Sequence, residues 1–264
     1  MRYVRFQRRG ENAVRLGWIA DERIGSIEGP LFGAHRRSPV TWPSSTVKLL
    51  SPLIPGKIVC VGRNYIEHAR EHDAELPEVP LLFLKPPSAI IGPRDPIILP
   101  VQSEQVEHEA ELAVVIGRKA RHVAPNEARD YIFGYTAAND VTARDLQSKD
   151  GQWTRAKSFD TFCPLGPWID TEVDPGDLRI TCRVNDQIRQ MASTREMVFS
   201  VFQLMAFISG IMTLDAGDLL LTGTPAGVGP LQGGDSVQVE IEGIGILENP
   251  VVGAALEPSA TTVI

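Results

Sequence analysis

Proline decides what much of this chain cannot become. From Leu81 to Pro100 the sequence reads "LLFLKPPSAIIGPRDPIILP", short apolar runs cut repeatedly by proline. A proline within a helix removes a backbone donor and its ring clashes with the carbonyl four residues earlier. These runs therefore predict short strands joined by turns. The tail "DLLLTGTPAGVG", "DSVQVEIEG" and "GILENPVV" is divided by glycines in the same way. One stretch, "STREMVFSVFQLMAFISGIM", leaves room for a long helix: Ser193 stands three before Glu196, a capping-box spacing, and Met197, Val201, Leu204, Met205 and Ile208 recur at helical spacing.

The N-terminal pieces "YVRF", "VRLGWI" and "RIGSI" alternate and are separated by turn-forming residues, which predicts a small antiparallel meander. "SPVTWPSS" and "SPLIPGK" then place a boundary near residue 55. Residues 1–55 are expected to form a small β-rich unit and residues 56–264 the main domain. "KIVCVG" reads as a buried strand, "RNYIEHAREHDAEL" as a helix ending before Pro77, "YIFGYTAAND" as a strand ending on Asp140, and "QSKDGQWTRAKSFDTF" as a loop.

Composition excludes several classes. The net charge of −7 comes with no long Lys/Arg run, which argues against nucleic acid as a partner. Cys60, Cys163 and Cys182 are odd in number and widely spaced, so neither a disulfide framework nor a zinc site is indicated. The first residues lack the apolar core of a signal peptide, and no apolar stretch is long enough to span a bilayer. A cytoplasmic protein with no membrane partner is expected.

The chemistry is most legible in "VEHEAELAVVIG". In an extended strand Glu107, Glu109 and Glu111 share one face with Ala113 and Val115, so that face starts acidic and ends apolar. Crowded carboxylates raise one another's pKa unless a cation lies among them. The same pattern also fits a polar strand end facing water, where salt screens the repulsion. A neighbouring strand ending on Asp140 could add a third carboxylate beside Glu109 and Glu111, giving an all-oxygen donor set suited to Mg²⁺, or to Mn²⁺ or Ca²⁺. Just beyond Asp140, Arg144 and Asp145 read as supporting or turn-capping groups.

His68 and Glu71, at i and i+3, share a helical face and could form a base oriented by a carboxylate. Residues 68–72 also spell H-x-x-E-H, a zinc-peptidase pattern. "TGTPAGVGP" lacks the lysine of a phosphate-binding loop, although Thr224 and its neighbouring backbone N–H groups could hold an anion.

In order, "CVGRNYIEHARE", "FLKPPSAIIG", "EHEAELAVVIG", "GYTAANDVTARDLQ", "KSFDTFCPLGPWI" and "LTGTPAGVG" resemble the fumarylacetoacetate hydrolase family over residues 56–252. Within it the chain resembles the bacterial acylpyruvate and fumarylpyruvate hydrolases and the isomerases or decarboxylases of 2-oxo dicarboxylic acids. The resemblance implies a β-rich α+β fold, a mixed β-roll or sandwich, assembled as a homodimer. It implies Glu109, Glu111 and Asp140 as ligands of Mg²⁺, and His68, Glu71 and Lys157 as catalytic groups, with the His–Glu pair on a lid. Gln147, Thr224, Arg63 and Tyr65 would meet a small 2-oxo acid substrate. Longer family members add an acidic ligand ahead of the histidine; no Asp or Glu lies between Gly56 and Ile66 here, so three carboxylates are expected. Glu107 is expected at the rim or behind the ligands.

Overall fold

The computed structural model describes residues 1–71 and 75–253. It is β-rich with few helices, in two large mixed sheets and a small third one. The N-terminal strands Arg2–Arg8, Val14–Ala20 and Arg23–Glu28 form the expected meander, pairing antiparallel in sequence order. Strand Arg2–Arg8 also pairs with Cys163–Asp170 (Arg2 opposite Asp170, Tyr3 opposite Ile169), so the meander continues directly into the sheet of the main domain. From there the order runs through Ile132–Asn139, Ala110–Ile116, Leu219–Leu221, Ile58–Gly62 and Leu81–Lys85. The pairing of Leu219–Leu221 with Ile58–Gly62 is parallel and its neighbours are antiparallel, which makes the sheet mixed.

The second sheet orders Ile97–Leu99, Gly245–Gly253, Ser236–Ile241, Arg179–Val184 and Gln187–Ser193. The two sheets share one core. Strand Ala110–Ile116 is buried on both faces: Leu112, Val114 and Ile116 pack with Ile180, Val239 and Ile241 of the second sheet, while Ala113 and Val115 pack with Cys60, Leu219 and Leu221. Continuous burial explains why the run "ELAVVIG" does not alternate beyond its acids.

Two expectations about local structure need correction. The long helix is Val201–Ile211, capped by Ser200 with Gln203, whereas the Ser193–Glu196 box caps a 3₁₀ turn, Thr194–Glu196. The intervening residues cannot be helical because Asn64 takes their donors: Val198 N bonds to Asn64 O (2.8 Å) and Phe199 N to Asn64 Oδ1 (2.8 Å). Met197 instead bridges to Tyr65 as an isolated strand pair. The expected loop over residues 147–162 instead takes in the end of one short helix, Arg144–Asp150, and the whole of another, Thr154–Lys157. Gly151, at φ +69°, closes the first by returning its N–H to Gln147 O, a left-handed cap that glycine adopts without strain.

Among the described residues no helix is long and apolar enough to cross a membrane. The meander has its own small core, in which Phe6 is fully buried with Val4, Ile24 and Val47 and its ring centroid lies 5.6 Å from that of Trp42. Phe6→Ala should cost about 3–5 kcal/mol, the usual range for emptying a buried phenylalanine site; chemical denaturation would read it as a lower midpoint at unchanged slope.

Candidate metal centre and active site

The strand carrying the glutamates breaks at Glu109, dividing Val106–His108 from Ala110–Ile116. At the break Ala110 N bonds to the side chain of Gln190 (3.0 Å) instead of a neighbouring strand, while Glu109 O accepts from Asp140 N (2.8 Å). Ala110 then pairs with Asn139 and Glu111 with Ala138, which puts the start of one strand beside the end of the other. Glu109, Glu111 and Asp140 thus converge, each offering a ligand oxygen within 4.8 Å of the others, and all three are buried. A water-facing strand end is ruled out: Glu107, Glu109 and Glu111 are 5%, 4% and 1% exposed.

Three cations stand among these acids. Lys157 Nζ donates to Glu109 Oε2 and Asp140 Oδ2, both at 2.8 Å. Lys85 Nζ donates to Asp140 Oδ1 (2.5 Å) and to Val141 O. Arg144 reaches Glu107 Oε2 with Nε (2.7 Å), Glu109 Oε1 with Nη2 (2.6 Å) and Gln147 Oε1 with Nη1 (2.5 Å). Glu107 therefore holds the arginine that holds Glu109, and Asp145 caps the preceding turn through Ser103 Oγ and Glu104 N.

Glu111 is the acid left over. Among the described residues it receives the N–H of Gly223 (2.8 Å) and no cation. Burial first, then Asp140 and Glu109, push its carboxyl well above the ordinary range. Burial also acts on Glu109, but Lys157 and Arg144 outweigh it and hold that carboxyl well below the ordinary range. Lys157 is raised in turn, its burial offset by Asp140 and Glu109. An all-oxygen trio with one uncompensated member fits a hard divalent cation, which would supply the missing positive charge.

The trio lines a cavity of about 340 Å³ whose wall also includes His68, Arg63, Gln147, Lys157 and Thr224, with Phe83 and Trp153 as aromatic flanks. His68 is on the short helix Ile66–Glu71, its Nδ1 3.3 Å from Glu71 Oε2, and is close enough to Glu109 to favour the ionised form of that acid. Arg63 is exposed, with φ +57°, a left-handed conformation that costs a non-glycine residue strain. The helix ends at Glu71 among the described residues, and His72 of the H-x-x-E-H pattern lies outside them.

Tyr65 is a correction. It is 2% exposed, packs in the core instead of lining the cavity, and its hydroxyl has no hydrogen-bond partner among the described residues. Burial pushes its phenol above the ordinary range. The spacing of "RNYIEH" did not distinguish Arg63, turned to the cavity, from Tyr65, turned to the core. Thr224 does line the cavity, but its hydroxyl is already committed, donating to Ala110 O (2.9 Å) and accepting from Gln190 Nε2 (2.8 Å).

Sequence reasoning missed Lys85 and Gln190. Gln190 is 1% exposed; its Oε1 accepts from Ala110 N and faces His108 Nδ1 (3.1 Å), and its Nε2 donates to Thr224 Oγ1 and to Pro225 O (2.7 Å). A polar residue in "NDQIRQ" carries no local signal of such a role. Lys85 had one: a lysine ending the apolar run "LLFLK" is 2% exposed, and a buried ammonium needs an acid.

Residues 57–252 match the model described as fumarylacetoacetate (FAA) hydrolase C-terminal, and residues 1–52 match Rv2993c-like, N-terminal. The chain belongs to the fumarylacetoacetate hydrolase family. It is 44% identical over 261 residues to the mitochondrial oxaloacetate tautomerase Fahd2a of Rattus norvegicus, covering 94% of this chain and 79% of that one. Among solved structures it resembles a 2-hydroxyhepta-2,4-diene-1,7-dioate isomerase from Mycobacterium marinum (TM-score 0.89, 46% identity, 97% of this chain and 99% of that one). A maleylpyruvate hydrolase from Sphingobium sp. SYK-6 also aligns, with TM-score 0.80 and 34% identity over 96% of this chain and all of the other.

Because the Glu111 carboxyl is raised, its favourable contribution to the cation-free fold is complete below the ordinary 4.5 and is lost as pH rises through the raised value. A bound divalent ion should displace that proton, so affinity should rise with pH across the same interval. Calorimetric titration with Mn²⁺ in two buffers of different ionisation enthalpy should show proton release; a pH-independent affinity without it would contradict the assignment.

Proposed function

We propose that the protein is a divalent-metal-dependent hydrolase that cleaves a C–C bond in acylpyruvate-type 2,4-dioxo acids such as fumarylpyruvate. The observation that carries this reading is the placement of His68, backed by Glu71, and a three-carboxylate trio on one cavity. Glu109, Glu111 and Asp140 would hold Mg²⁺, with Mn²⁺ or Ca²⁺ as substitutes, and the ion would supply a Lewis acid for the adjacent carboxylate and keto oxygens of a 2-oxo acid.

The chain's own groups do the rest. Glu71 faces His68 Nδ1 and stabilises the proton there, leaving Nε2 to accept a proton from water. The water oxygen adds to the distal carbonyl carbon, and the bond from that carbon to the pyruvate methylene breaks. The electron pair goes to the methylene carbon, which takes up a proton, so the products are a carboxylic acid and pyruvate. Lys157 Nζ and Arg144 counter the charge of an anionic substrate at the same wall, Gln147 and Arg63 offer further donors, and Phe83 and Trp153 exclude water from the flank.

A second reading, isomerase or decarboxylase of 2-oxo-ene dicarboxylic acids, is favoured by the higher identity to the dioate isomerase than to the maleylpyruvate hydrolase. In that case His68 would move a proton between substrate carbons without activating water. For assembly we propose a homodimer, which is supported by the open edge of strand Leu81–Lys85, where Leu81 and Leu84 are 38% and 50% exposed.

A panel of acylpyruvates, oxaloacetate and 2-oxo-ene dioates assayed with Mg²⁺ should show dioxo-acid absorbance falling in step with pyruvate formation. Absorbance changes on the dioates without pyruvate would select the second reading. Glu109→Ala should abolish metal binding and turnover together. His68→Ala should keep metal binding and lower hydrolysis about 10²–10⁴-fold, the usual contribution of a general base; full activity would remove His68 from the mechanism.

A further inference from the structure

The orientation of His68 depends on more than its neighbour. A helix of six residues, Ile66–Glu71, is too short to be stable by itself, so contacts with the body must decide where its imidazole points. Its root is secured: Asn64, fully buried, donates from Nδ2 to Thr222 O (2.8 Å) and Phe199 O (3.0 Å). Its tip reaches the glycine-rich loop, where both carboxylate oxygens of Glu71 accept from Gly227 N, at 3.0 and 3.2 Å.

We propose that the Gly227 N–H is a positioning group for catalysis: it docks the lid helix through Glu71 and thereby sets His68 against the metal trio. This inference rests on the reading of His68 as the general base. Gly227 can do this because its N–H has a fixed direction. Its φ is +96°, and a Cβ there would lie 2.1 Å from the carbonyl oxygen of Arg189, so the backbone at this point suits glycine alone. Below it Gln190 ties the same loop down at Thr224 Oγ1 and Pro225 O. At the other end of the loop, Gly223 N–H holds Glu111. One loop thus sets both halves of the site, the metal ligand through its first glycine and the base through a later one. Neither contact uses a side chain of the loop, so its residue types carry little sign of either task.

The test combines amide exchange with a double-mutant cycle on the full-length protein. Exchange at Gly227 should speed up at least about tenfold in Glu71→Ala and stay within about threefold of the parent in Glu71→Gln, whose amide oxygen still accepts the bond, and in His68→Ala. Unchanged exchange in Glu71→Ala, or equal acceleration in His68→Ala, would overturn the docking contact. Gly227→Ala keeps the N–H but its Cβ would meet Arg189 O and turn the backbone away from Glu71, so it should lower kcat at least about tenfold, and the double variant with Glu71→Ala should be no more than about threefold worse than Glu71→Ala alone, because both undo one docking contact. Additive losses, or a Mn²⁺ affinity that falls in Glu71→Ala as far as its turnover does, would also overturn it. If no acylpyruvate is turned over, the proposed function fails, and the exchange measurement then decides the contact without it.

Discussion

Four buried carboxylates facing two buried lysines and a partly buried arginine is the condition on which this site is built. Lys85, Lys157 and Arg144 between them engage Glu107, Glu109 and Asp140, and Glu111 is left with a backbone N–H. An ionised carboxylate without a partner in such an interior is expensive, so the group either keeps a proton or acquires a cation. Both outcomes keep the interior near neutrality. The surrounding fold holds that choice open, since every other acid in the cluster already has its counter-charge.

Geometry follows from how the sheet is interrupted. Breaking the strand at Glu109 lets Asp140 N bond to Glu109 O and lets Gln190 take the free Ala110 donor, so two glutamates and an aspartate converge without a continuous ladder between them. Gln190 spends both ends of its amide on this arrangement, joining the broken strand to the glycine-rich loop. Truncating it would leave several buried donors and acceptors unsatisfied at once, a larger penalty than the loss of any one of these bonds.

Much of the fold was legible because its signals are local. Prolines and glycines marked the short strands, and "VEHEAELAVVIG" showed both its acids and its buried end. The trio could be anticipated because strand ends and residue chemistry coincide at Glu109, Glu111 and Asp140. What failed was tertiary. The Ser193–Glu196 box is real, but Asn64, far away in the chain, takes the next backbone donors and delays the helix to Val201. Tyr65 and Arg63 are two residues apart in one motif, yet one faces the core and the other the cavity. Gln190 and the N–H of Gly227 act through partners that no sequence window contains.

The most direct measurement is the anomalous scattering of a crystal grown with Mn²⁺. A single strong peak bonded to oxygens of Glu109, Glu111 and Asp140 at about 2.0–2.6 Å, the range of hard-cation bonds to oxygen, is the predicted result. A map with no peak there, with Lys157 still bridging Glu109 and Asp140 and Glu111 unligated, would contradict the account.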